Sequence, residues 1–479
     1  MIYLLVNSHL SWLSAHHLGF LRVLINVTFR STAAVILGCG LVLLLGPGTI
    51  AWLRRQRIGD LANFDEAQMN KLMEGKKGIP TMGGILIIFA IAVTVLLLAD
   101  LENFYVRMAV ICVVWLGGVG AVDDWLKLTS VWRAAKAKAL AADAVATPET
   151  LVSAVASTGS SPAVGATSAA PLPDRPAQNR AGAENGAGAR GNADGQNNAG
   201  GGNSAGAPNR ASAEIPASTG SPSPAAAQPP ASRQGLTSLE KLLFQVGLGI
   251  LLSLFTYHYS TIATSHTLYA PFFKNFALVL GPLAFAIIGT IVITGTSNAV
   301  NLTDGLDGLA AGCAGIVSFT FLILALIQGY SFDTEPLAKY LFLPVVPGSA
   351  EMAVVAGAMV GACLGFLWFN CHPASVFMGD TGSLALGGLL GYISIVIRQE
   401  LLLFLCGGIF VVEAMSVMLQ VGYFKYTKRK FGAGRRIFLM APLHHHFQKK
   451  GWHEVQVVIR FWLIGVVLAM IALATIKLR

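Results

Sequence analysis

Residues 351–380 read EMAVVAGAMVGACLGFLWFNCHPASVFMGD, and the two halves of that stretch decide the fold. From Met352 to Phe369 no side chain is charged. A helix needs about 17–25 such residues to cross the hydrocarbon core of a bilayer. The second half, from Asn370 to Asp380, turns polar and brings His, Pro, Gly and a carboxylate. An apolar crossing that ends in a polar, chemistry-bearing loop is the unit to look for elsewhere in the chain.

Working outward, the unit recurs. Apolar residues make up 54% of the sequence and charged residues 12%, against about 25% charged in soluble domains. Apolar blocks lie at roughly 24–46, 82–99, 107–122, 241–257, 276–294, 306–328, 351–369, 384–398, 401–423 and 457–476. They predict an all-α polytopic membrane protein of about ten transmembrane helices. Met1–Leu21 lacks the basic start of a cleavable leader, so the first crossing is expected to insert and stay.

The net charge of +9 is not the footprint of a nucleic-acid binder, because it is sorted by loop. Arg54, Arg55, Arg57, Lys71, Lys76 and Lys77 follow the first block, and Lys425, Lys428, Arg429, Lys430, Arg435, Arg436, Lys449 and Lys450 precede the last. Intervening loops are acidic or mixed, as in Asp100-Leu-Glu102 and Asp333-Thr-Glu335. The positive-inside rule makes the basic loops cytoplasmic and, over ten crossings, both termini periplasmic. Most of these cations then serve topology and lipid headgroups. The six cysteines are scattered without metal-ligand spacing and read as small packed hydrophobes.

One segment breaks the pattern. Residues 134–234 are rich in Ala, Gly, Ser, Pro and Asn, and no aromatic residue occurs between Arg133 and Leu243. Such a stretch cannot bury enough apolar surface to offset its ordering entropy. It is expected to be a disordered cytoplasmic insertion, opening with a short helix at Ala134–Ala146. It divides one integral membrane domain into 1–133, with three helices, and 235–479, with seven.

Little room is left for a soluble catalytic domain, so chemistry belongs to the loops and helix ends. Four stretches stand out: Asp123-Asp124 closing the third block, Asn298-Ala-Val-Asn301-Leu-Thr-Asp304-Gly-Leu-Asp307-Gly, Asn370–Gly382, and Pro442-Leu-His444-His445-His446. The topology puts all four on the cytoplasmic face. Clustered carboxylates repel unless a cation sits among them, and hard oxygen ligands suit Mg²⁺ shared with substrate phosphates. Lys76, Lys127 and Lys241 can hold a diphosphate as point charges. Turns such as Met82-Gly-Gly84 and Gly379-Asp-Thr-Gly382 let backbone amides approach phosphate.

Plainer readings stand beside each stretch. Asp-Asp can be a solvated helix end, Asp304 and Asp307 can cap the sixth helix, and Asp380 can sit in an ordinary turn. Adjacent histidines on a helix point different ways and rarely bind one ion, so they fit better as phosphate donors or as structure. Glu413, inside the ninth block, is a proton-relay candidate or a helix-to-helix tie; no other central carboxylate or Lys accompanies it, which favours the tie.

The matching stretches Pro80-Thr-Met-Gly-Gly84, Val122-Asp-Asp124, Asn298–Gly308, Gly365–Asn370, Val376–Asp380, Met440–His446 and Arg460-Phe-Trp462 resemble the phospho-N-acetylmuramoyl-pentapeptide transferases of bacterial cell-wall synthesis. The acidic motifs are shared with the wider polyprenyl-phosphate sugar-phosphate transferases, whereas Ala-Pro-Leu-His-His-His points to the muramoyl-pentapeptide branch. The resemblance implies UDP-N-acetylmuramoyl-pentapeptide and undecaprenyl phosphate as substrates, lipid I and UMP as products, Mg²⁺ as cofactor, the bacterial inner membrane as location, and a homodimer. It implies Asp380 as the Mg²⁺ ligand, Asp123 and Asp124 as the catalytic pair, and Asp304 and Asp307 near the uridine and phosphates. Asn370, Lys76, Lys127, Lys241, His444 and His445 match further polar active-site positions, and Thr81, Asn298, Asn301 and His446 complete the expected substrate-binding set. Two departures stand out: the insertion inside a catalytic loop, and Gln448 where the family commonly has Glu. The competing expectations are a transferase for another UDP-sugar, a secondary transporter, and an inactive lipid-binding scaffold.

Overall fold

The computed structural model describes residues 1–56, 76, 78–145, 235–260, 262–273, 276–332, 335–341 and 343–477. Arg57, Lys71, Lys77 and the expected disorder of 146–234 lie outside these residues. The chain divides into two compact units, Met1–Ala137 with Ser232–Arg479, and Lys138–Ala231. Of the second unit only the helical residues up to Val145 are described.

The first unit is a helical bundle. Two short helices, α1 (Ile2–Ser8) and α2 (Leu10–Ala15), precede α3 (Val27–Arg55). Then come α4 (Gly84–Leu98), α5 (Phe104–Val145) and α6 (Ser238–Tyr259). A small antiparallel hairpin, β1 (Thr267–Tyr269) with β2 (Ala277–Val279), leads into α7 (Pro282–Thr303) and α8 (Leu309–Gly329). The chain continues with α9 (Met352–Asn370), α10 (Gly379–Val396), α11 (Glu400–Cys406), α12 (Gly408–Phe431), α13 (Leu443–Lys449) and α14 (Glu454–Ala474). Among the described residues, eight helices are long and apolar enough to cross a membrane, and α4 is a shorter apolar helix. The core lies where α9 packs on α3 and α8, and α10 on α7.

Two of the long helices begin at side-chain caps. Asn26 Oδ1 accepts the Thr28 amide at 2.8 Å at the start of α3. Thr237 and Glu240 form a reciprocal capping box at the start of α6, which sets Lys241 in its first turn. Arg30, an unlikely residue inside an apolar block, is buried in α3 with its guanidinium on the Glu351 carboxylate at 2.6 and 2.8 Å. Pairing is what lets such a charge enter a packed bundle.

Three expected blocks differ from the helices found. Asp123-Asp124 does not close the third: α5 runs through the pair to Val145, because nothing from Trp125 to Val145 breaks a helix and the Ala-rich stretch after Arg133 favours one. The fifth, 276–294, begins as strand β2, and Pro282 starts the helix only after Gly281. The ninth, 401–423, is two helices interrupted at Gly407.

Candidate active site

The site forms because three helices come together almost without side chains between them. A Cβ on Gly84 of α4 would lie 2.1 Å from the Gly382 amide of α10. A Cβ on Gly120 of α5 would lie 2.3 Å from the Asp380 carbonyl. The loop before α4 also pairs with the loop before α10: Phe377 N donates to Pro80 O at 2.8 Å, Gly83 N to Phe377 O at 2.8 Å, and Gly84 N to Met378 O at 2.9 Å. Thr81 lies at this junction, where a Cβ on Gly379 would lie 3.0 Å from its Oγ1.

This contact sets Asp380, in the first turn of α10, against the Asp pair of α5. Asp124 Oδ2 accepts Thr381 N at 3.0 Å and Thr381 Oγ1 at 2.7 Å, and Asp124 Oδ1 accepts Asp380 N at 3.2 Å. Asp124 therefore caps the helix that carries Asp380. Asp123, fully buried, accepts Leu236 N at 2.8 Å. Lys127 and Lys241 bridge the two remaining carboxylates. Lys127 Nζ lies 2.7 Å from Asp123 Oδ2 and 3.0 Å from Asp380 Oδ2, and Lys241 Nζ lies 2.7 and 2.6 Å from the same atoms. Asn301 Nδ2 donates to Asp380 Oδ1 at 2.8 Å and to Ser383 Oγ at 2.9 Å.

The described chain resumes at residue 235, beside this geometry. Gly235, at φ +121°, turns the returning chain onto Asp123 and Lys127, where a Cβ would lie 2.9 Å from Asp123 Oδ1. Asp123, Asp124 and Asp380 each offer an oxygen within 4.8 Å of the others. An all-oxygen, hard donor set of this kind fits Mg²⁺.

A second network adjoins the turn between α7 and α8. Lys76 Nζ lies 2.6 Å from Asp307 Oδ1 and 2.5 Å from Glu454 Oε1. Asp307 Oδ2 also meets His372 Nδ1 at 3.0 Å and the Ala374 amide at 3.2 Å, so its carboxylate does not cap α8. Asp304 is the C-cap residue of α7, and burial, then the charges of Asp380 and Asp124, push its carboxyl up to about 8. Asn370 is buried as a strut, accepting Gly308 N at 3.1 Å and donating to Val376 O at 2.8 Å. Asn298 lies further along α7 and donates to Gln245 Oε1 at 2.7 Å and Thr294 O at 2.8 Å.

The three histidines of α13 go three ways. The fully buried His444 has Nδ1 3.2 Å from Glu413 Oε2, and Glu413 accepts the Leu443 and His444 amides at 2.7 and 3.1 Å. Glu413 is thus a tie between α12 and α13. His445 Nδ1 lies 2.8 Å from Gln448 Oε1, which gives Gln448 a neutral role. His446 Nδ1 accepts the Leu439 amide at 3.1 Å. Thr381 and His372 lie inside the stretch Asn370–Gly382 that the sequence singles out, but neither they nor Glu454 is named there as a site residue.

Burial, then the neighbouring His444, push His445 down to about 4. An unfolded chain takes up that proton near pH 6.5. The stability His445 contributes is therefore present above about pH 6.5 and lost as pH falls toward about 4. Thermal unfolding in detergent across that window is expected to show a steeper fall for wild type than for His445→Gln, a comparison that removes the opposing effect of Asp304.

The Glycosyl transferase family 4 profile matches residues 233–398. A phospho-N-acetylmuramoyl-pentapeptide-transferase signature matches residues 76–88, which hold Lys76, Thr81 and Gly84. The chain is 36% identical over 453 residues to the phospho-N-acetylmuramoyl-pentapeptide-transferase of Desulfotalea psychrophila, covering 95% of this chain and 94% of that protein. It is also 36% identical over 465 residues to the enzyme of that name from Chlorobium chlorochromatii, covering 97% of each. With two such relatives matched over nearly its whole length, this chain belongs to the phospho-N-acetylmuramoyl-pentapeptide transferase family.

Proposed function

We propose that the protein transfers phospho-N-acetylmuramoyl-pentapeptide from its UDP donor to undecaprenyl phosphate, giving lipid I and UMP. The observation that carries this reading is the meeting of Asp123, Asp124, Asp380, Lys127 and Lys241, drawn from three helices, at one end of the bundle. A phosphate oxygen of the lipid attacks the sugar-linked phosphorus, and the bond to the UMP oxygen breaks. Positioning and charge neutralisation dominate such a transfer. Lys127 and Lys241 hold the diphosphate, and Asp123 orients the attacking phosphate. Asp380, with Asp124 behind it, holds Mg²⁺, which when bound offsets charge on the diphosphate and its leaving group. Lys76, Asp307 and Asp304 face the nucleotide, Thr81 and Asn301 stand beside Asp380, and the α13 histidines complete the substrate-binding set. Asn370 and Asn298 act by holding backbone and helices in place.

The same reading gives ten crossings, both termini periplasmic and the site cytoplasmic. It is supported by the apolar helices α4 and α10 beside the eight longer ones, and by the cationic stretch from Lys425 to Arg436 around the end of α12. Residence in the bacterial inner membrane and assembly as a homodimer rest on the resemblance.

The test is UMP release by purified protein from UDP-N-acetylmuramoyl-pentapeptide and undecaprenyl phosphate. Release that needs Mg²⁺ and stops on chelation is expected. Absence of release from well-folded protein, with turnover of another UDP-sugar, would reassign the donor.

A further inference from the structure

We infer that Glu413 is a positioning residue for the transfer, acting through His444; this rests on the function proposed above. Glu413 is fully buried in α12. A carboxylate in such a place is costly unless its oxygens are paired. Its oxygens meet one target, the first turn of α13, through the Leu443 amide, the His444 amide and His444 Nδ1. That turn has no cap of its own, because Pro442 at the N-cap offers no side-chain acceptor. Glu413 supplies the missing cap from another helix.

The contact also places the ring. Nδ1 lies 3.2 Å from Glu413 Oε2, so that edge of the imidazole rests against the carboxylate. The other nitrogen faces the turn between α7 and α8, where a Cβ on Gly305 would lie 2.3 Å from Nε2. Gly305 stands between Asp304 and Leu306, two residues before Asp307. By capping the first turn of α13, Glu413 thus sets the position of an imidazole packed directly on the acidic turn of the site.

The experiment compares Glu413→Gln and Glu413→Ala, each in wild type and in a His444→Ala background. Gln keeps the volume but turns an N–H donor toward one of the two backbone amides. The expected result is a fall in kcat of about 10–100-fold, with the donor KM changed by less than about threefold. In the His444→Ala background, Glu413 substitution is expected to cost little more. Hydrogen exchange across 443–449 is expected to speed up in Glu413→Ala while 454–474 stays unchanged. An equal loss of kcat in both backgrounds, or unchanged kcat with only a lower Tm, would overturn the inference. If wild type releases no UMP, the proposed reaction fails instead. The positioning role in the transfer then falls with it, and faster exchange over 443–449 would uphold only the cap that Glu413 gives α13.

Discussion

Asp380→Asn is expected to lower UMP release by about a thousandfold or more while leaving the protein folded. The carboxylate has no slack in its present contacts. One oxygen faces both lysines at 2.6 and 3.0 Å, and the other accepts from Asn301. An amide in its place loses the charge that balances Lys127 and Lys241, and its NH2 faces either two ammonium groups or the Asn301 donor. The fold is spared because Asp380 holds α10 through its backbone amide, which still reaches Asp124. Rate measurements and thermal unfolding on the same preparation separate the two effects. A variant that keeps a tenth of wild-type activity would remove Asp380 from the centre of the reaction.

The second large effect needs no change of charge. Gly84→Ala and Gly120→Ala are each expected to cut kcat by about a hundredfold and to lower stability by about 1–3 kcal/mol. At both positions the added methyl meets backbone rather than a flexible side chain, at 2.1 Å from Gly382 N and 2.3 Å from Asp380 O. Backbone yields only by separating the helices, and α5 and α10 carry Asp124 and Asp380. A displacement of about 1 Å at a reacting centre is enough for a hundredfold loss. As a control, Gly118→Ala, two residues away on the opposite side of α5 with open space at its Cβ, should be close to neutral in both measurements.

These glycines show where sequence reading stops. The helical membrane fold was legible because apolar length is a one-dimensional property, and the acidic motifs because their composition is unusual for loops. Helix ends were less so. The third block appeared to close at Asp123-Asp124 since hydropathy falls there, but hydropathy reports solvent and not backbone hydrogen bonding, and the helix continues. Partner choice was not legible at all. Asp307 and Asp304 lie three residues apart, yet one is locked to Lys76 and the other sits under the charges of Asp380 and Asp124. Glu413 could be weighed as a tie or a relay from sequence, but only the fold supplies the bare end of α13 that it caps.

The landing of the chain on Asp123 has a consequence for how this protein varies over time. Closing a longer loop costs little, about 0.6 kcal/mol for each doubling of its length. Lengthening between α5 and Gly235 is therefore nearly invisible to selection. The landing itself is not: Gly235 has a backbone conformation that favours glycine, and Leu236 gives its amide to a buried carboxylate. Insertions, deletions and fused domains should accumulate freely upstream of residue 235, while the two residues of re-entry stay as constrained as the aspartate they meet.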